Sequence, residues 1–332
     1  MRAMSLDSPG PIDSAPLREV TRDDVEPGPG ELLLSVACCG VCRTDLQICE
    51  GDIPLHARPI VPGHQIVGRV VSAGEGVTRF RPGDRVGVGW LAGTCGRCPR
   101  CLEGRENLCA EATFTGWDRD GGYATHAVVR EQVAFAIPER FGDLETAPLL
   151  CGGVIGYRSL RRSGIRPGQR LGLFGFGASA LIAIQIAVHW KCRVFVCTRS
   201  VVEQQRARSL GAEWAGGYDQ RPPEPLDAVV TFAPSGDVVV AALRALERGG
   251  TVAINAIHLD RIPELSYDDL WWERAIVSVA NYTRRDAEEL LALAAEIPVR
   301  TVIETHPLQD ANVALGRLRR GQTQGAAVLV PT

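Results

Sequence analysis

Residues 171–180 read LGLFGFGASA, and this stretch decides the fold of the second half of the chain. An apolar segment leads directly into a G-x-G-x-x-A spacing, and the helix-like segment ALIAIQIAVHW follows. In that context the glycines permit a tight turn and the close approach of a pyrophosphate to a helix N-terminus; the alternative is a tight turn that binds no ligand. We therefore predict a dinucleotide-binding turn, with contacts from Gly175, Gly177, Ala178, Ser179 and Ala180.

The two halves of the chain have different sequence patterns. From about residue 31 to residue 136, short alternating strands such as ELLLSVACCG and GGYATHAVV are broken by Gly and Pro, which is typical of a compact β-barrel or sandwich. After residue 151, apolar runs such as CRVFVCT, LDAVVTF and AIVSVA alternate with helix-like segments such as VVEQQRARSLGA, which indicates a parallel sheet covered by helices. By periodicity alone, the tail with DAEELLALAAEI and AAVLV fits either half.

Composition argues against several classes of partner. The 332 residues suit two domains, and 45% hydrophobic with 23% charged residues is ordinary for a soluble globular protein. A formal net charge of −3 provides no basic field for nucleic acid or an anionic membrane. No uncharged apolar run reaches the roughly 18 residues of a membrane span, and the first residues contain no apolar signal segment. We expect a cytoplasmic protein with a small-molecule ligand.

A second stretch, TCGRCPRCLEGRENLC at residues 94–109, has the spacing C-x2-C-x2-C-x7-C. In a reducing compartment, clustered thiols bind metal more often than they form disulfides. We predict a structural zinc in this loop; an iron–sulfur cluster or a redox dithiol are the alternatives. Four thiolates leave no open position on zinc, so the chemistry should lie elsewhere. The predicted ligands are Cys95, Cys98, Cys101 and Cys109.

The end of the second strand of the α/β half favours one cofactor. About twenty residues after the glycine turn, a protein that prefers NAD usually has Asp or Glu for the ribose hydroxyls. Here Thr198, Arg199 and Ser200 stand instead. Guanidinium and hydroxyl groups can bind a 2′-phosphate that a carboxylate would repel. We predict that NADP(H) is preferred over NAD(H), the alternative being that Arg199 is a solvated surface charge.

The remaining candidate ligands are scattered: Cys42 in CGVCRTDLQICEGD, His64 in VPGHQIVG and Cys151 in APLLCGGVIGY. A lone Cys is usually a buried hydrophobe and a lone His is usually a satisfied core residue. Their order is more specific: G-V-C-x-T-D, then G-H, then the four-cysteine loop, then a Cys that enters the G-x-G-x-x-A domain. In this order the chain resembles the zinc-dependent medium-chain alcohol dehydrogenase family over essentially its whole length.

The resemblance implies an α/β fold with a GroES-like β-barrel catalytic domain and a Rossmann domain with a doubly wound parallel sheet. The implied catalytic domain spans residues 1–150 and includes the structural-zinc loop 93–110. The implied NAD(P)-binding domain spans 151–284, and the segment 285–332 returns to the catalytic domain. The resemblance therefore assigns the tail that periodicity leaves open.

The resemblance also implies a second, catalytic zinc ion. Its ligands would be Cys42, His64 and Cys151, with the fourth position left for water or a substrate oxygen. Asp45 would hydrogen-bond the far nitrogen of His64 and fix its tautomer. Thr44 would hydrogen-bond the substrate oxygen and begin a proton relay.

Further positions follow from the same resemblance. Arg43 would lie against the cofactor pyrophosphate. Ile257 would lie beside the nicotinamide, with His258 next to the cofactor or substrate; the alternative is that their apolar segment, TVAINAIHL, forms a subunit contact. Aromatic side chains near the four-cysteine loop would line an apolar or aromatic substrate pocket, the alternative being that they are simply core residues. These side chains are Trp90, Phe114 and Trp117.

Three positions depart from the commonest family pattern. Gln65 follows the ligand histidine where many members have Glu, and a neutral amide is a poorer metal ligand. Gln47 stands where many members have a relay His, and it cannot titrate near neutrality, so the relay must end in water or the cofactor ribose. Ile155 stands where a Thr is frequent behind the nicotinamide, and it lacks the hydroxyl. The three zinc ligands remain intact.

We therefore expect an NAD(P)-dependent alcohol dehydrogenase or aldehyde reductase that transfers a hydride between NAD(P)(H) and an alcohol or aldehyde. The family forms dimers and tetramers, so a homodimer or homotetramer is expected. Two alternatives stay open: a zinc-independent enoyl or quinone reductase of the same architecture, and a non-catalytic NADP(H)-binding sensor. Zinc content and consumption of NADPH with simple aldehydes distinguish them.

Overall fold

The computed structural model describes residues 1–23, 25–256, 259–297 and 299–331. Strands are numbered along the chain as β1 (Arg2–Leu6), β2 (Leu17–Thr21), β3 (Glu31–Gly40), β4 (Ile66–Ala73), β5 (Arg85–Val88), β6 (Leu91–Gly93), β7 (Thr113–Phe114), β8 (His126–Arg130), β9 (Ala134–Ala136), β10 (Arg170–Phe174), β11 (Arg193–Cys197), β12 (Trp214–Gly216), β13 (Leu226–Thr231), β14 (Leu246–Ile254), β15 (Ala275–Ser278), β16 (Ile303–Pro307) and β17 (Ala326–Val330). Helices are α1 (Arg43–Glu50), α2 (Pro99–Leu102), α3 (Asp143–Thr146), α4 (Gly152–Ser163), α5 (Ala178–His189), α6 (Val201–Ser209), α7 (Gly236–Arg244), α8 (Tyr267–Leu270), α9 (Arg284–Glu296) and α10 (Ala311–Arg319).

The chain divides into two compact units. The first contains residues 1–151, 283–295 and 300–332, and the second contains residues 152–282 and 296–299. Cys151 is therefore the last residue of the first unit before the chain enters the second. Most of the C-terminal tail belongs to the first unit.

The second unit is built on a parallel sheet. Within the described residues its six strands have the order β12-β11-β10-β13-β14-β15, and every neighbouring pair is parallel. Numbered along the chain, this order is 3-2-1-4-5-6, the arrangement of dinucleotide-binding folds. Strands β10, β11 and β13 are almost wholly buried because helices cover both faces, which explains their continuous apolar runs. The predicted doubly wound sheet is confirmed.

The first unit is built mainly on an antiparallel sheet. In the part of the chain that the structure describes, its strand order is β16-β17-β3-β4-β5-β9, and β8 also pairs with β3. Only β16 and β17 in this path are parallel. Apolar residues of β3, β4 and β8 share one core with α1 and α10. Helix α1, which begins directly after Cys42, is therefore held firmly against the sheet.

No helix in the described parts of the chain is long and apolar enough to cross a membrane. The longest, α9, has thirteen residues and carries several charged side chains.

Candidate functional site

The three scattered ligand candidates meet beside one end of β3 and β4. These strands are antiparallel, and Cys39 pairs with Ile66. Cys42 follows the end of β3 and His64 precedes the start of β4, so the strand pairing brings the two side chains together. Cys151 reaches the same place from the turn before α4. The three ligand atoms lie within 4.8 Å of one another.

Asp45 connects two of these residues. Its Oδ2 accepts a hydrogen bond of 2.8 Å from the backbone N–H of Cys42, which makes Asp45 the N3 member of a capping box at the start of α1. Its Oδ1 lies 2.9 Å from Nδ1 of His64, and both side chains are buried. Nδ1 therefore carries the proton toward Asp45, and Nε2 is left to face the two cysteines.

The protonation states of the cluster suit a cation. The hydrogen bond from the Cys151 thiol, together with His64, holds the pKa of Cys42 well below its ordinary value. The same contact, together with burial, raises the pKa of Cys151 well above its ordinary value. Burial lowers the pKa of His64. The charge of the Asp45 carboxylate and its hydrogen bond raise that pKa by more, to about 10. A bound dication would displace these protons.

The distances within the cluster fit zinc. Tetrahedral zinc with bonds of about 2.3 Å to sulfur and about 2.0 Å to nitrogen needs separations of about 3.8 Å between sulfurs and about 3.5 Å from sulfur to nitrogen. Sγ of Cys42 lies 3.8 Å from Sγ of Cys151, and Nε2 of His64 lies 3.4 Å from the latter. The donor set of two thiolates and one imidazole can therefore hold zinc with its fourth position open.

The other candidate residues of α1 differ in burial and in their distance from this cluster. Thr44 is buried, and its Oγ1 lies 3.8 Å from Sγ of Cys42, so its hydroxyl is beside the cluster. Gln47 is half-buried one turn later, and its carbonyl accepts from Gly51 N–H as α1 ends. Arg43 is exposed at the first turn of α1.

Tyr123, in the segment before β8, is a residue that the sequence analysis missed. Its ring is completely buried, and its hydroxyl donates a hydrogen bond of 3.1 Å to Oδ2 of Asp45. Burial and the neighbouring carboxylate raise the pKa of Tyr123 well above its ordinary value, so the hydroxyl stays a donor. GGYATHAVV indicates a strand, and nothing in this pattern signals that its tyrosine faces a carboxylate 78 residues earlier.

Two positions that depart from the family pattern have definite surroundings. Gln65 is buried, and its amide lies over Gly40, where an added β-carbon would come within 2.5 Å of Oε1. Ile155 is half-buried in α4, and its carbonyl accepts from the Ser159 hydroxyl at 2.7 Å.

The four cysteines of residues 95–109 also converge. Cys95 lies 3.9 Å from Cys101 and 3.6 Å from Cys109, measured between sulfurs, as tetrahedral zinc requires. Backbone N–H groups of Arg97 and then Cys98 donate to the Cys95 sulfur and lower its pKa to about 7. This loop can hold a second zinc with four protein ligands and no open position.

The predicted pocket side chains form one aromatic group. The rings of Trp90, Phe114 and Trp117 are nearly parallel, with centroids 5.1 to 5.9 Å apart. The Trp90 ring meets the His64 ring edge to face at 4.9 Å. All three side chains are half-buried, and Trp90 and Trp117 pack against the core of the first unit. The group therefore extends from a metal-ligand candidate toward the surface.

A polar pair, His56 and Asp118, lies beside Trp117 and was not predicted from the sequence. The His56 ring stacks on Trp117 at 3.9 Å, and its Nδ1 lies 2.7 Å from Oδ1 of Asp118. The other oxygen of Asp118 accepts from the backbone N–H of Phe114.

The glycine turn lies at the carboxyl end of β10, as predicted. Gly175 has φ +93°, and an added β-carbon would approach Ala233 N within 2.7 Å, so the protein itself requires glycine there. An added β-carbon at Gly177 would meet nothing within 4 Å. Gly177 is the N-cap of α5, whose first residues are Ala178, Ser179 and the buried Ala180. The open space and the helix N-terminus fit a pyrophosphate.

A cavity of about 460 Å³ opens at this point of the sheet. It lies where β10 and β13 are neighbours and the strand order reverses, which is where such folds bind dinucleotides. Thr198 is buried in its wall and Arg199 is exposed there. The Ser200 hydroxyl accepts from Glu203 N–H as the N-cap of α6, which leaves its proton free to donate. The lining residues are Gly175, Phe176, Gly177, Thr198, Arg199, Ser200, Tyr218, Phe232 and Ala233.

Sequence reasoning did not find Tyr218, because it lies in an irregular segment after β12. It is next to Arg199, whose positive charge opposes the rise in the pKa of Tyr218 that burial causes. The predicted nicotinamide neighbours Ile257 and His258 lie outside the described residues.

Comparisons with known proteins identify relatives of the whole chain. Residues 28–139 match the alcohol dehydrogenase GroES-like domain family. Over 336 aligned residues, the chain is 47% identical to the Mycobacterium tuberculosis protein "Probable alcohol dehydrogenase AdhA", covering 99% of this chain and 97% of that protein. It is 33% identical to an alcohol dehydrogenase of Geobacillus stearothermophilus over 322 residues, which is 94% of each chain.

A solved structure extends the likeness to three dimensions. The cobalt- and zinc-bound thermostable alcohol dehydrogenase of Pyrobaculum aerophilum superposes with a TM-score of 0.91 at 26% identity, covering 100% of this chain and 99% of that one.

Proposed function

This chain belongs to the zinc-dependent medium-chain alcohol dehydrogenase family, and on that premise we propose that it interconverts an alcohol and its aldehyde by zinc-assisted hydride exchange with NADP(H). The observation that carries the proposal is the convergence of Cys42, His64 and Cys151 at separations that zinc requires. In the oxidative direction the alcohol loses a hydride to the oxidised nicotinamide and a proton to the protein.

Zinc bound by these three residues would act as a Lewis acid toward the substrate oxygen at the open fourth position. Asp45 keeps the His64 proton on Nδ1, so that Nε2 stays a ligand. Thr44, whose hydroxyl is beside the cluster, would receive the substrate proton and pass on its own. The Gln47 amide cannot take up this proton, so the relay would end in water or in the cofactor ribose.

The preference for NADP(H) rests on the cavity at the ends of β10 and β11. Arg199 is exposed at its edge, and the Ser200 and Tyr218 hydroxyls line the same wall. None of the lining side chains is a carboxylate, which is the group that would repel a 2′-phosphate.

Replacing Arg199 by Ala tests the cofactor preference. We expect kcat/KM to be higher for NADPH than for NADH in the wild type, and the NADPH value to fall at least about tenfold in Arg199→Ala with little change for NADH. Arg162→Ala, at an exposed position on α4, is the matched control. Equal or better efficiency with NADH in the wild type contradicts the proposal.

The aromatic group formed by Trp90, Phe114 and Trp117 favours an aromatic substrate. It lies beside the cluster, because the Trp90 ring contacts the His64 ring. Stacking on Trp90, Phe114 and Trp117 would contribute about 0.5–1.5 kcal/mol beyond area burial. We expect Trp90→Ala to lower kcat/KM for benzaldehyde relative to acetaldehyde. An unchanged ratio would mean that these rings serve only as core.

Zinc content tests the central proposal. Elemental mass spectrometry should find about two zinc ions per chain in the wild type and about one in a Cys42→Ala, His64→Ala variant, because the four-cysteine loop keeps its own ion. Cys192→Ala removes a buried cysteine of the second unit and should retain both ions. One ion in all three proteins would leave only the loop metallated and favour the zinc-independent reductase or the sensor.

The expected homodimer or homotetramer stays a prediction that mass measurement in solution can check.

A further inference from the structure

The hydroxyl of Tyr123 is aimed at the carboxylate that orients His64. Oδ1 of Asp45 faces Nδ1 of His64, whereas Oδ2 accepts from both Cys42 N–H at 2.8 Å and the Tyr123 hydroxyl at 3.1 Å. The carboxylate is completely buried, so no solvent can take over a missing donor. Removing the phenol would leave Oδ2 with the Cys42 N–H alone.

Tyr123 is attached to the same backbone segment as His64. Its N–H donates to the Pro62 carbonyl at 3.0 Å, and Gly122 N–H donates to the Gly63 carbonyl at 2.8 Å. Its ring lies against Gly63, which has φ +99° and where an added β-carbon would come within 2.7 Å of Cε1. Ring, glycine and histidine therefore form one rigid arrangement, and the hydroxyl reaches Asp45 at a fixed distance from the His64 backbone.

Because of this arrangement, we propose that Tyr123 is a positioning residue for the metal centre: its hydroxyl fixes the Asp45 carboxylate, which in turn fixes the His64 ring against the metal. The inference rests on the proposed function, since it requires that Cys42, His64 and Cys151 bind zinc. Tyr123 touches neither substrate nor metal in this scheme and acts only through Asp45. Outer partners of a metal-bound histidine typically change metal affinity by about 10–100-fold.

The test compares zinc release from Tyr123→Phe and the wild type. Phenylalanine keeps the ring against Gly63 and removes only the hydroxyl. The zinc-loaded proteins are mixed with a chromogenic chelator, and the rates of the two release phases are measured. The Cys42→Ala, His64→Ala protein identifies the phase of the four-cysteine loop. We expect the other phase to accelerate about 10-fold or more in Tyr123→Phe, while the loop phase stays unchanged.

A double-mutant cycle separates positioning from general loosening. In an Asp45→Asn background, Tyr123→Phe should add less than about twofold, because an amide has one oxygen and cannot accept from both Nδ1 of His64 and the Tyr123 hydroxyl. Tyr157→Phe is the matched control, since it removes a buried hydroxyl that accepts from Arg161 at 3.3 Å in the second unit. It should leave both phases at wild-type rates.

Three results overturn the inference: wild-type release from Tyr123→Phe, equal acceleration of both phases, or an undiminished effect in the Asp45→Asn background. If Tyr123→Phe does not fold, Asp45→Asn alone must still accelerate the same phase. Cobalt substitution gives a second spectroscopic measurement: the visible band of the Cys42 site should shift in Tyr123→Phe but not in Tyr157→Phe. A wild type with one zinc ion that survives loss of Cys42 and His64 would instead refute the proposed function.

Discussion

Two glycines of one turn are glycine for different reasons. Gly175 has a left-handed backbone, and a side chain would collide with Ala233, so its requirement comes from the protein. Gly177 has φ −97° and ψ −162°, which any residue adopts, and no atom of the described residues lies within 4 Å of an added methyl group. On the proposed function, glycine is needed there because the cofactor pyrophosphate approaches the backbone.

We predict that Gly177→Ala folds normally and binds cofactor poorly. The loss of stability should stay within about 1 kcal/mol, the range for changes at an N-cap, because the methyl group enters open space. The dissociation constant for NADPH, measured by fluorescence titration, should rise at least about tenfold, which corresponds to about 1.4 kcal/mol.

Gly175→Ala is the contrasting variant. It should destabilise the protein by at least about 1–3 kcal/mol through backbone strain, with the collision against Ala233 adding to it, seen as a lower thermal midpoint. Unchanged NADPH affinity in Gly177→Ala would mean that the cofactor does not approach this backbone.

Among the elements, β10 and β13 are joined near their starts by an ion pair between Arg170 and Asp227. Asp227 on β13 accepts from the backbone N–H of Arg170 on β10 at 2.8 Å. Its carboxylate also takes two bonds from the Arg170 guanidinium, at 3.0 and 2.8 Å. The hydrogen bonds from the Arg170 guanidinium are the main reason why the pKa of Asp227 lies below its ordinary value. The pair therefore joins the two strands that flank the cavity beside Gly175, at the opposite end of the sheet.

We predict that Asp227→Asn lowers the free energy of unfolding by about 1 kcal/mol at neutral pH, because a partly exposed pair contributes at the upper end of the surface range. A depressed folded-state pKa means that this contribution is present above the unfolded pKa of about 3.9 and disappears as the pH falls through the folded value. The difference between variant and wild type, measured in denaturant at pH 7 and pH 3, should shrink at the lower pH.

Glu213→Gln is the control for this pair. Its partner Arg193 is more exposed and keeps a second carboxylate, Glu224, so a change below about 0.5 kcal/mol is expected. A difference for Asp227→Asn that does not depend on pH would contradict the ionic origin of the effect.

Sequence patterns predicted the strands that have long apolar runs. They missed the elements and residues whose role depends on contacts with other parts of the chain. ELLLSVACCG coincides with β3, and AIVSVA contains β15, because their apolar runs are as long as the strands. Helix α1 was not predicted as a helix, since RTDLQICE has one short apolar face and is held by the cap from Asp45. Spacing alone suggested the four-cysteine cluster, whereas Cys42, His64 and Cys151 required the family resemblance. Tyr123 and Tyr218 required the fold, because their partners are distant in sequence.

At the scale of the whole molecule, the first unit is assembled from segments far apart in the chain. Strand β17 pairs with the end of β3, where Leu329 faces Cys39 and Val328 faces Gly40. The next amide, Val41 N–H, donates to the Ala327 carbonyl at 2.8 Å. The backbone that leads into Cys42 is thus supported by residues nearly 290 positions later.

We predict that a chain ending at Gly325 loses zinc from the Cys42 site. Without β17 the Val41 N–H lacks its partner, and α1 loses the support of its start. Zinc content should fall from about two ions to about one, and the chain ending at Val330 serves as the control. Two ions retained after removal of β17 would mean that α1 is held without the strand.

The long separation between β3 and β17 also governs when the site can form during synthesis. At about 5–20 residues per second, the ribosome makes β17 about 15–60 s after β3. The parallel sheet of the second unit, complete by Ser278, can therefore fold while the thiols of Cys42 and Cys151 are still loosely held. On the proposed function, metal insertion at Cys42, His64 and Cys151 is accordingly expected to be a late event that follows translation of residues 326–330. A stalled ribosome would then carry a folded parallel-sheet unit before these three residues are held in place.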